Sequence, residues 1–202
     1  AVQALSLAEG HLPRMEEIFG WINIPKGLTR ISLMESAFNH RAISQVGATG
    51  IWQFMRKSGE EYLSINDKLG IDERYSLVKS TAAAAQLLGR NKYVLDSWPY
   101  AVTAYNSGLR EFIRVPKHLR TPENFAPLFL SCKSKTKLGW AGRNYYAGFL
   151  AMLYAESYRD LLYRADKPIA KSPAIAFNRI EKPVSAIRYA MNKGIPLLQI
   201  HE

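Results

Sequence analysis

The sequence has a single cysteine, Cys132, so it cannot form an internal disulfide. It also lacks any cluster of cysteine and histidine with zinc-binding spacing, and we expect neither a metal nor an organic cofactor. No apolar run is long enough to cross a bilayer, since the longest covers residues 147–155. A chain of 202 residues can bury a full core without such aids. These absences predict a self-sufficient globular protein of one or two domains without a transmembrane segment. We expect it to act as a monomer.

Acidic residues are outnumbered, because 17 Asp and Glu stand against 27 Lys and Arg and leave a formal net charge of +10. This charge suits a polyanionic partner such as nucleic acid, an anionic membrane surface or a cell wall that carries carboxylates. The sequence contains no recognisable nucleic-acid module, so we expect no nucleic-acid partner. It begins at Ala1 without a basic-then-apolar leader, and we expect a form from which a targeting segment has been removed.

Helical periodicity predominates in the first three quarters of the chain. The predicted helices cover Pro13–Phe19, the stretch from Pro25 to Glu35, a segment from Ile51 onward, Leu77–Tyr93, Trp98–Asn106 and Asn144–Arg164. Residues 39–50 contain two glycines and no periodic apolar face, so they are predicted to form a loop. The pattern predicts an all-α domain.

The pattern changes after Asp166. Four prolines, at positions 168, 173, 183 and 196, interrupt the helical periodicity, and residues 174–180 alternate in the manner of a strand. We therefore expect a domain over residues 1–165 and a small C-terminal extension over residues 166–202.

Glu35 is the candidate catalytic residue. Leu28, Ile31 and Met34 put one stripe of their helix against the core and bring Glu35 to the C-terminal end of that helix. Desolvation beside apolar side chains would keep this carboxyl protonated near neutral pH, and glycoside cleavage needs an acid that protonates the leaving oxygen. Residues 37–59 contain no Asp or Glu, so the following loop cannot supply a second carboxylate. The alternative is a solvated glutamate at a helix end.

Four segments then occur in a distinctive order: Glu35-Ser36-Ala37-Phe38, residues 47–55 (GATGIWQFM), residues 104–108 (AYNSG) and Arg143-Asn144-Tyr145. Together they resemble the catalytic domain of lytic transglycosylases, in particular the membrane-bound type D branch of the soluble-transglycosylase-like family. Each motif alone is weak evidence, but the set is specific and its likeness covers about residues 10–160.

The resemblance implies a lysozyme-like helical fold with a substrate groove. Its implied partner is the glycan strand of peptidoglycan, in the bacterial periplasm or outside the cell, with outer-membrane association through the removed N-terminal signal. In this family a single glutamate, here Glu35, acts as acid and then as base on the β-1,4 bond between N-acetylmuramic acid and N-acetylglucosamine. Attack by the muramyl C6 hydroxyl gives a 1,6-anhydro product.

The resemblance also implies roles for six further residues. Ser36 would bind the N-acyl region of the sugar, Tyr105 would orient the carboxyl or the sugar, and Tyr145 would close one wall of the groove. The other implied substrate contacts are Gln53, Met55 and Asn106. Three of them have a structural alternative: Ser36 as an ordinary helix-end residue, Tyr105 as a packing residue, and Met55 as part of a core cluster with Ile51 and Phe54. Gln53 is predicted to be a polar group within an apolar helix.

The chain departs from the family pattern around the groove. Gly108 leads into Leu-Arg-Glu, Ala141-Gly142 precedes the Arg143-Asn144-Tyr145 motif, and Arg56 and Ser76 occupy positions where the family tends to have proline. These changes affect the expected preference for glycan acetylation and for the stem peptide. The tail is weakly similar to the linker before glycan-binding LysM repeats, with residues 186–202 as a candidate truncated helix pair. The alternative is an accessory segment that packs on the catalytic domain.

Three alternatives remain at this stage. A hydrolytic muramidase on the same scaffold would use water in place of the C6 hydroxyl. A catalytically silent wall-binding protein would retain Glu35 without using it, and a nucleic-acid binder would rest on charge alone. Asp67, Asp72 and Glu73 are possible second acids, although Asp72-Glu73-Arg74 is more typical of an ion-paired turn.

Overall fold

The computed structural model describes residues 2–130, 138–162 and 185–194. The α-helices of this part of the chain are α1 (Val2–Glu9), α2 (Leu12–Trp21), α3 (Ile31–Ser36), α4 (Arg56–Gly59), α5 (Leu77–Leu95), α6 (Trp98–Ser107), α7 (Arg110–Ile113), α8 (Pro122–Leu130), α9 (Trp140–Ser157), α10 (Arg159–Leu162) and α11 (Ala186–Lys193). Short 3-10 turns cover Lys26–Arg30, Asp67–Leu69, Glu73–Tyr75 and Lys117–Leu119. The prediction of an all-α protein is confirmed.

Two short strands form a small antiparallel sheet. β1 (Ile65–Asn66) pairs with β2 (Ile71–Asp72), with Ile65 opposite Asp72 and Asn66 opposite Ile71. The turn between them contains Gly70 in a left-handed conformation, which glycine adopts without steric cost. Each strand has two residues, too few to give the alternating pattern by which a strand is predicted from a sequence.

The centre of the fold is α5, which packs against α2 and α6. Its alanines Ala83, Ala84 and Ala85 are fully buried, and their small side chains allow the neighbouring helices to approach closely. At its start the Ser76 hydroxyl accepts a hydrogen bond from the Lys79 amide and so satisfies one free N–H of the first turn. α9 packs against α6 and α3, which brings distant parts of the sequence together beside the core.

The predicted helix from Ile51 onward is wrong at its start. Residues 50–53 form a turn, Phe54 makes an isolated bridge with Thr49, and α4 begins only at Arg56. Gln53 has a φ of 48°, so it lies in the left-handed region and not in a helix. Ile51 and Phe54 are buried nevertheless, because the turn itself is packed into the core.

The last predicted helix, over Asn144–Arg164, begins earlier than expected. α9 starts at Trp140 and ends at Ser157, and Tyr158 separates it from α10. The predicted strand over residues 174–180 lies outside the described residues. Of the C-terminal extension, the structure describes α11 and its end at Gly194, whose positive φ of 62° terminates the helix.

Candidate active site

The segment around Glu35 ends in a sharp change of direction. The 3-10 turn Lys26–Arg30 continues directly into α3, which buries Ile31 and Leu33. Ala37 and Phe38 then adopt positive φ angles of 50° and 63°, a conformation that costs energy for residues with a side chain. Burial of the Phe38 ring in the core offsets this cost. The turn leaves Glu35 half-buried near the C-terminal end of α3.

Glu35 lies at the edge of a cleft with a volume of about 310 Å³. The described residues that line it are Glu35, Ser44, Val46, Ala48, Gln53, Phe54, Met55, Ser58, Leu87, Tyr105 and Asn106. Glu35 is the single acidic residue of this set, and none of the set is basic. The cleft therefore combines one carboxyl with hydroxyl, amide and apolar groups, a composition that suits an uncharged sugar.

Glu35 has a neighbour far away in the sequence. The hydroxyl of Tyr145, on α9, donates a hydrogen bond to Oε1 of Glu35. Burial raises the pKa of Glu35 from 4.5 to about 7, although the hydrogen bond from Tyr145 acts in the opposite direction. Desolvation thus dominates, and the carboxyl holds its proton near neutral pH, as expected from its apolar surroundings.

Tyr105 contacts the cleft in a different way. Its hydroxyl donates a hydrogen bond of 2.8 Å to the backbone carbonyl of Trp52, and its ring packs beside the rings of Trp52 and Phe54. Burial raises its pKa well above the ordinary value, and the negative charge of Glu35 adds to the effect. The tyrosine that binds the Glu35 carboxyl directly is therefore Tyr145, while Tyr105 binds the turn at residues 50–53.

Residues 47–55 form one wall of the cleft, which we call the wall segment. Thr49 and Phe54 exchange two backbone hydrogen bonds of 3.1 Å and close the turn at residues 50–53. The Gln53 side chain folds back on this segment, because Nε2 donates to the carbonyls of Gly50 at 2.8 Å and Ala42 at 3.3 Å. Met55 is 43% exposed at the cleft and does not join Ile51 and Phe54 in the core.

Ser36 binds the wall segment. Its hydroxyl lies 3.0 Å from the carbonyl of Ile51 and 3.2 Å from that of Ser32. Ser36 is absent from the residues that line the cleft. Five of the seven predicted site residues, Glu35, Gln53, Met55, Tyr105 and Asn106, line the cleft, and Tyr145 joins them through its hydrogen bond to Glu35.

Several residues that line the cleft were not predicted from the sequence, among them Ser44, Val46, Ser58 and Leu87. Leu87 belongs to the apolar pattern of α5, which predicts burial but does not separate a core position from a cleft position. The two serines and Val46 lie outside the recognised motifs, and no signal in their spacing points to the cleft.

The other candidate acids are engaged elsewhere. Asp72 forms an ion pair with Arg74 at 2.6 Å, so the interpretation as an ion-paired turn agrees with the geometry. Burial raises the pKa of Asp72, but the hydrogen bonds and the charge of Arg74 outweigh it and hold that pKa below its ordinary value. Asp67 pairs with Arg56 at 3.0 Å. Neither aspartate is among the residues that line the cleft.

Within residues 2–130, 138–162 and 185–194, no three side chains of His, Cys, Asp or Glu lie close enough together to hold a metal ion. Nor does any helix in these ranges have the length and hydropathy that crossing a membrane requires.

Comparison with known proteins points to one family. Residues 22–124 match the family described as transglycosylase SLT domain, and they contain α3, the wall segment and α6. Membrane-bound lytic murein transglycosylase D of Escherichia coli strain K12 is 36% identical over 103 residues, which are 47% of this chain and 23% of that protein. The same enzyme from Escherichia coli O6:H1 has the same identity and coverage.

A protein of Alteromonas sp. (strain M-1) named for tributyltin chloride resistance is 28% identical over 113 residues, which are 55% of this chain and 53% of that protein. The match to the Escherichia coli enzymes thus spans about a quarter of their length. Because the family match covers half of the sequence and includes both Glu35 and the wall segment, the chain belongs to the transglycosylase SLT domain family, whose fold is helical and lysozyme-like.

Proposed function

We propose that this chain is a peptidoglycan lytic transglycosylase that cleaves the β-1,4 bond between N-acetylmuramic acid and N-acetylglucosamine. The observation that carries the proposal is the position of Glu35, a half-buried carboxyl at the edge of a neutral cleft with a pKa raised to about 7. Such a carboxyl can give up a proton at neutral pH and take one back. The name of the Escherichia coli relatives supports the same substrate.

In the first step Glu35 gives its proton to the glycosidic oxygen. The bond between C1 of the muramyl residue and that oxygen breaks, the N-acetylglucosamine residue leaves with a free hydroxyl, and positive charge develops at C1. The departure of the proton leaves Glu35 as a carboxylate. The hydrogen bond from the Tyr145 hydroxyl stabilises this charged form, since a donor to a carboxylate favours ionisation.

In the second step the Glu35 carboxylate takes the proton of the muramyl C6 hydroxyl. The C6 oxygen forms a bond to C1, which gives the 1,6-anhydro ring and returns Glu35 to its protonated state. No water is consumed. The absence of a second carboxyl among the described lining residues supports this route, because one group can serve as acid and then as base.

The substrate would lie along the wall segment. Gln53, Met55, Tyr105 and Asn106 line the cleft and would contact the sugar, while Tyr145 would hold Glu35 in place. Ser36, which lies between α3 and the wall segment, would bind the N-acyl group of the sugar.

We place this activity in the bacterial cell envelope, with residues 1–165 as the catalytic domain and a monomer as the acting species. Residues 166–202 would be a linker or part of a LysM-like unit. The charge of +10 supports an encounter with a wall that carries carboxylates.

The test is digestion of purified sacculi by the wild type and by Glu35→Gln, with Glu61→Gln as a control at an exposed glutamate. We expect release of soluble fragments by the wild type and by the control, and a loss of at least about a thousandfold for Glu35→Gln. Equal release by all three proteins would contradict the proposal.

Mass spectrometry of the fragments decides the reaction. Anhydro ends, 18 Da lighter than reducing ends because one water is missing, are expected from the wild type. Reducing ends alone would show hydrolysis and would contradict the second step above.

A further inference from the structure

Arg74 is an arginine that the cleavage chemistry does not use, yet it is only 7% exposed. It lies in the 3-10 turn Glu73–Tyr75, behind the cleft and next to the start of α5. Burial of a guanidinium is costly unless its donors are satisfied. The partners that satisfy it show what this side chain holds together.

One half of the guanidinium binds Asp72. Nε lies 2.9 Å from Oδ1 and Nη2 lies 2.6 Å from Oδ2, so both oxygens of the carboxylate accept from the same planar fork. The Asp72 carboxylate also accepts a hydrogen bond from the Arg74 backbone amide at 3.1 Å. This arrangement fixes the direction in which the remaining nitrogen points.

The remaining nitrogen, Nη1, binds the wall segment at two places. It donates to the carbonyls of Gly47 and Phe54, each at 3.3 Å. These carbonyls flank the closed turn, since Thr49 and Phe54 form its backbone bridge. Ala48, Gln53, Phe54 and Met55, which line the cleft, lie within or directly beside this span.

The backbone of the 3-10 turn Glu73–Tyr75 also packs closely against the wall segment. A Cβ atom added to Gly50 would lie 2.1 Å from the carbonyl oxygen of Arg74. The two backbone segments are therefore so close at this point that position 50 has no room for a side chain. On the other side, a Cβ atom on Gly59 of α4 would lie 3.3 Å from Cδ of Arg74. Arg74 is therefore enclosed between the wall segment and α4.

We propose that Arg74, oriented by Asp72, is a positioning residue that sets the place of the wall segment and thereby the affinity of the cleft for glycan. This inference rests on the proposed function for the identity of the ligand. Arg74 acts on binding and not on the proton of Glu35, because its contacts are to the wall segment and Glu35 takes its hydrogen bond from Tyr145. A lysine in its place has a single ammonium group and cannot reach Asp72 and both carbonyls at once.

The test compares Arg74→Lys with Arg90→Lys, a control at an exposed arginine that pairs with one acid, Glu61, and does not line the cleft. With soluble glycan chains as substrate, we expect Arg74→Lys to raise KM about tenfold while kcat and the pH profile stay close to those of the wild type. Arg90→Lys should leave all three unchanged. A fall in kcat at unchanged KM, or an unchanged KM, would overturn the proposal.

A second measurement does not depend on turnover. Hydrogen exchange of the Thr49 and Phe54 amides should accelerate in Arg74→Lys, while exchange within α5 stays as in the wild type. Accelerated exchange with a wild type that cleaves no glycan would refute the proposed function but support the positioning role. Unchanged exchange at both amides would refute the positioning role, whatever the activity.

If Arg74→Lys does not fold, Asp72→Asn replaces it as the test variant. Asparagine has the size of aspartate but lacks its negative charge, so it binds the guanidinium of Arg74 more weakly. The expected change has the same direction in KM and in exchange and is smaller. If Asp72→Asn has the same KM as the wild type, the proposal is contradicted.

Discussion

The hydroxyl of Tyr145 binds the carboxyl of Glu35 across 110 positions of sequence. The two helices that carry these residues, α3 and α9, are also joined at a second place. Arg30, directly before α3, binds both oxygens of Glu156 near the end of α9, with Nε and Nη2 each at 2.7 Å from a carboxylate oxygen. Contacts at both ends of α3 hold it against α9, so the distance between the acid and its tyrosine is a property of the packed helices.

Replacement of Tyr145 by phenylalanine should change the pH profile of cleavage. The hydrogen bond from Tyr145 lowers the pKa of Glu35, and its loss should raise that pKa further above 7. Since the acid must be protonated, the alkaline limb of the pH profile should move to higher pH. We also expect kcat to fall by about tenfold to a hundredfold, because the carboxyl loses its orientation.

The control for this change is Tyr154→Phe, a tyrosine on the same helix that is 67% exposed. It should leave the pH profile in place. An alkaline limb that stays at the wild-type pH in Tyr145→Phe would show that the hydroxyl does not act on Glu35.

Tyr105→Phe should have a different signature. The Trp52 carbonyl loses its donor, so we expect the free energy of unfolding to fall by about 1 to 3 kcal/mol. The alkaline limb should stay at its wild-type pH, since burial and Tyr145 are the causes of the Glu35 shift. Urea unfolding and a pH profile of cleavage measure the two quantities. A shift of the limb as large as that of Tyr145→Phe would instead indicate that Tyr105 orients the carboxyl directly.

Glu35→Gln should make the protein relatively more stable at alkaline pH. The folded-state pKa, about 7, lies above the ordinary value of 4.5, so the contribution of Glu35 to stability is complete below pH 4.5 and is lost as the pH rises through 7. Glutamine does not titrate and avoids this loss. Between pH 4.5 and pH 8 the difference in unfolding free energy, variant minus wild type, should grow by about 2 to 3 kcal/mol.

Urea unfolding of both proteins at the two pH values checks this expectation. The titrations of all other groups are common to the two proteins and cancel in the difference. A difference that is the same at both pH values would mean that the carboxyl is as solvated in the folded protein as in the unfolded chain.

Gly50→Ala and Gly47→Ala should differ sharply although both glycines have a positive φ, 78° and 81°. At Gly47 nothing lies within 4 Å of an added Cβ, so we expect a cost of about 1 to 2 kcal/mol from the backbone conformation alone. At Gly50 the added atom would meet the Arg74 carbonyl, which should cost about 4 kcal/mol or prevent folding. Thermal unfolding compares the two, and similar melting temperatures would contradict the close approach.

Helices in which the apolar repeat continues over many residues could be predicted from the sequence. α5 and α6 lie close to their predicted bounds, because the apolar repeat continues over their whole length and each ends at a residue with a positive φ, Asp96 or Gly108. The stretch at residues 51–55 misled the prediction. Ile51, Phe54 and Met55 have helical spacing, but the positive φ of Gln53 and the bridge between Thr49 and Phe54 make a turn.

The candidate site could be predicted in part. The resemblance of the motifs identified Glu35 and the two tyrosines as site residues and implied that Tyr105 orients the carboxyl or the sugar. In the structure the direct hydrogen bond to Glu35 comes from Tyr145. Which of two tyrosines reaches a carboxyl depends on the packing of α6 and α9 around α3, and no local pattern in the sequence contains that information.

Sequence alone determined the helical class and the residue type that can move a proton, because apolar periodicity and chemical identity are local properties of a chain. Only the packed fold decided which tyrosine binds this carboxyl and that Arg74 lies behind the wall of the cleft. These are distances between residues far apart in the chain, and they exist only once the helices have excluded water and taken their places against each other.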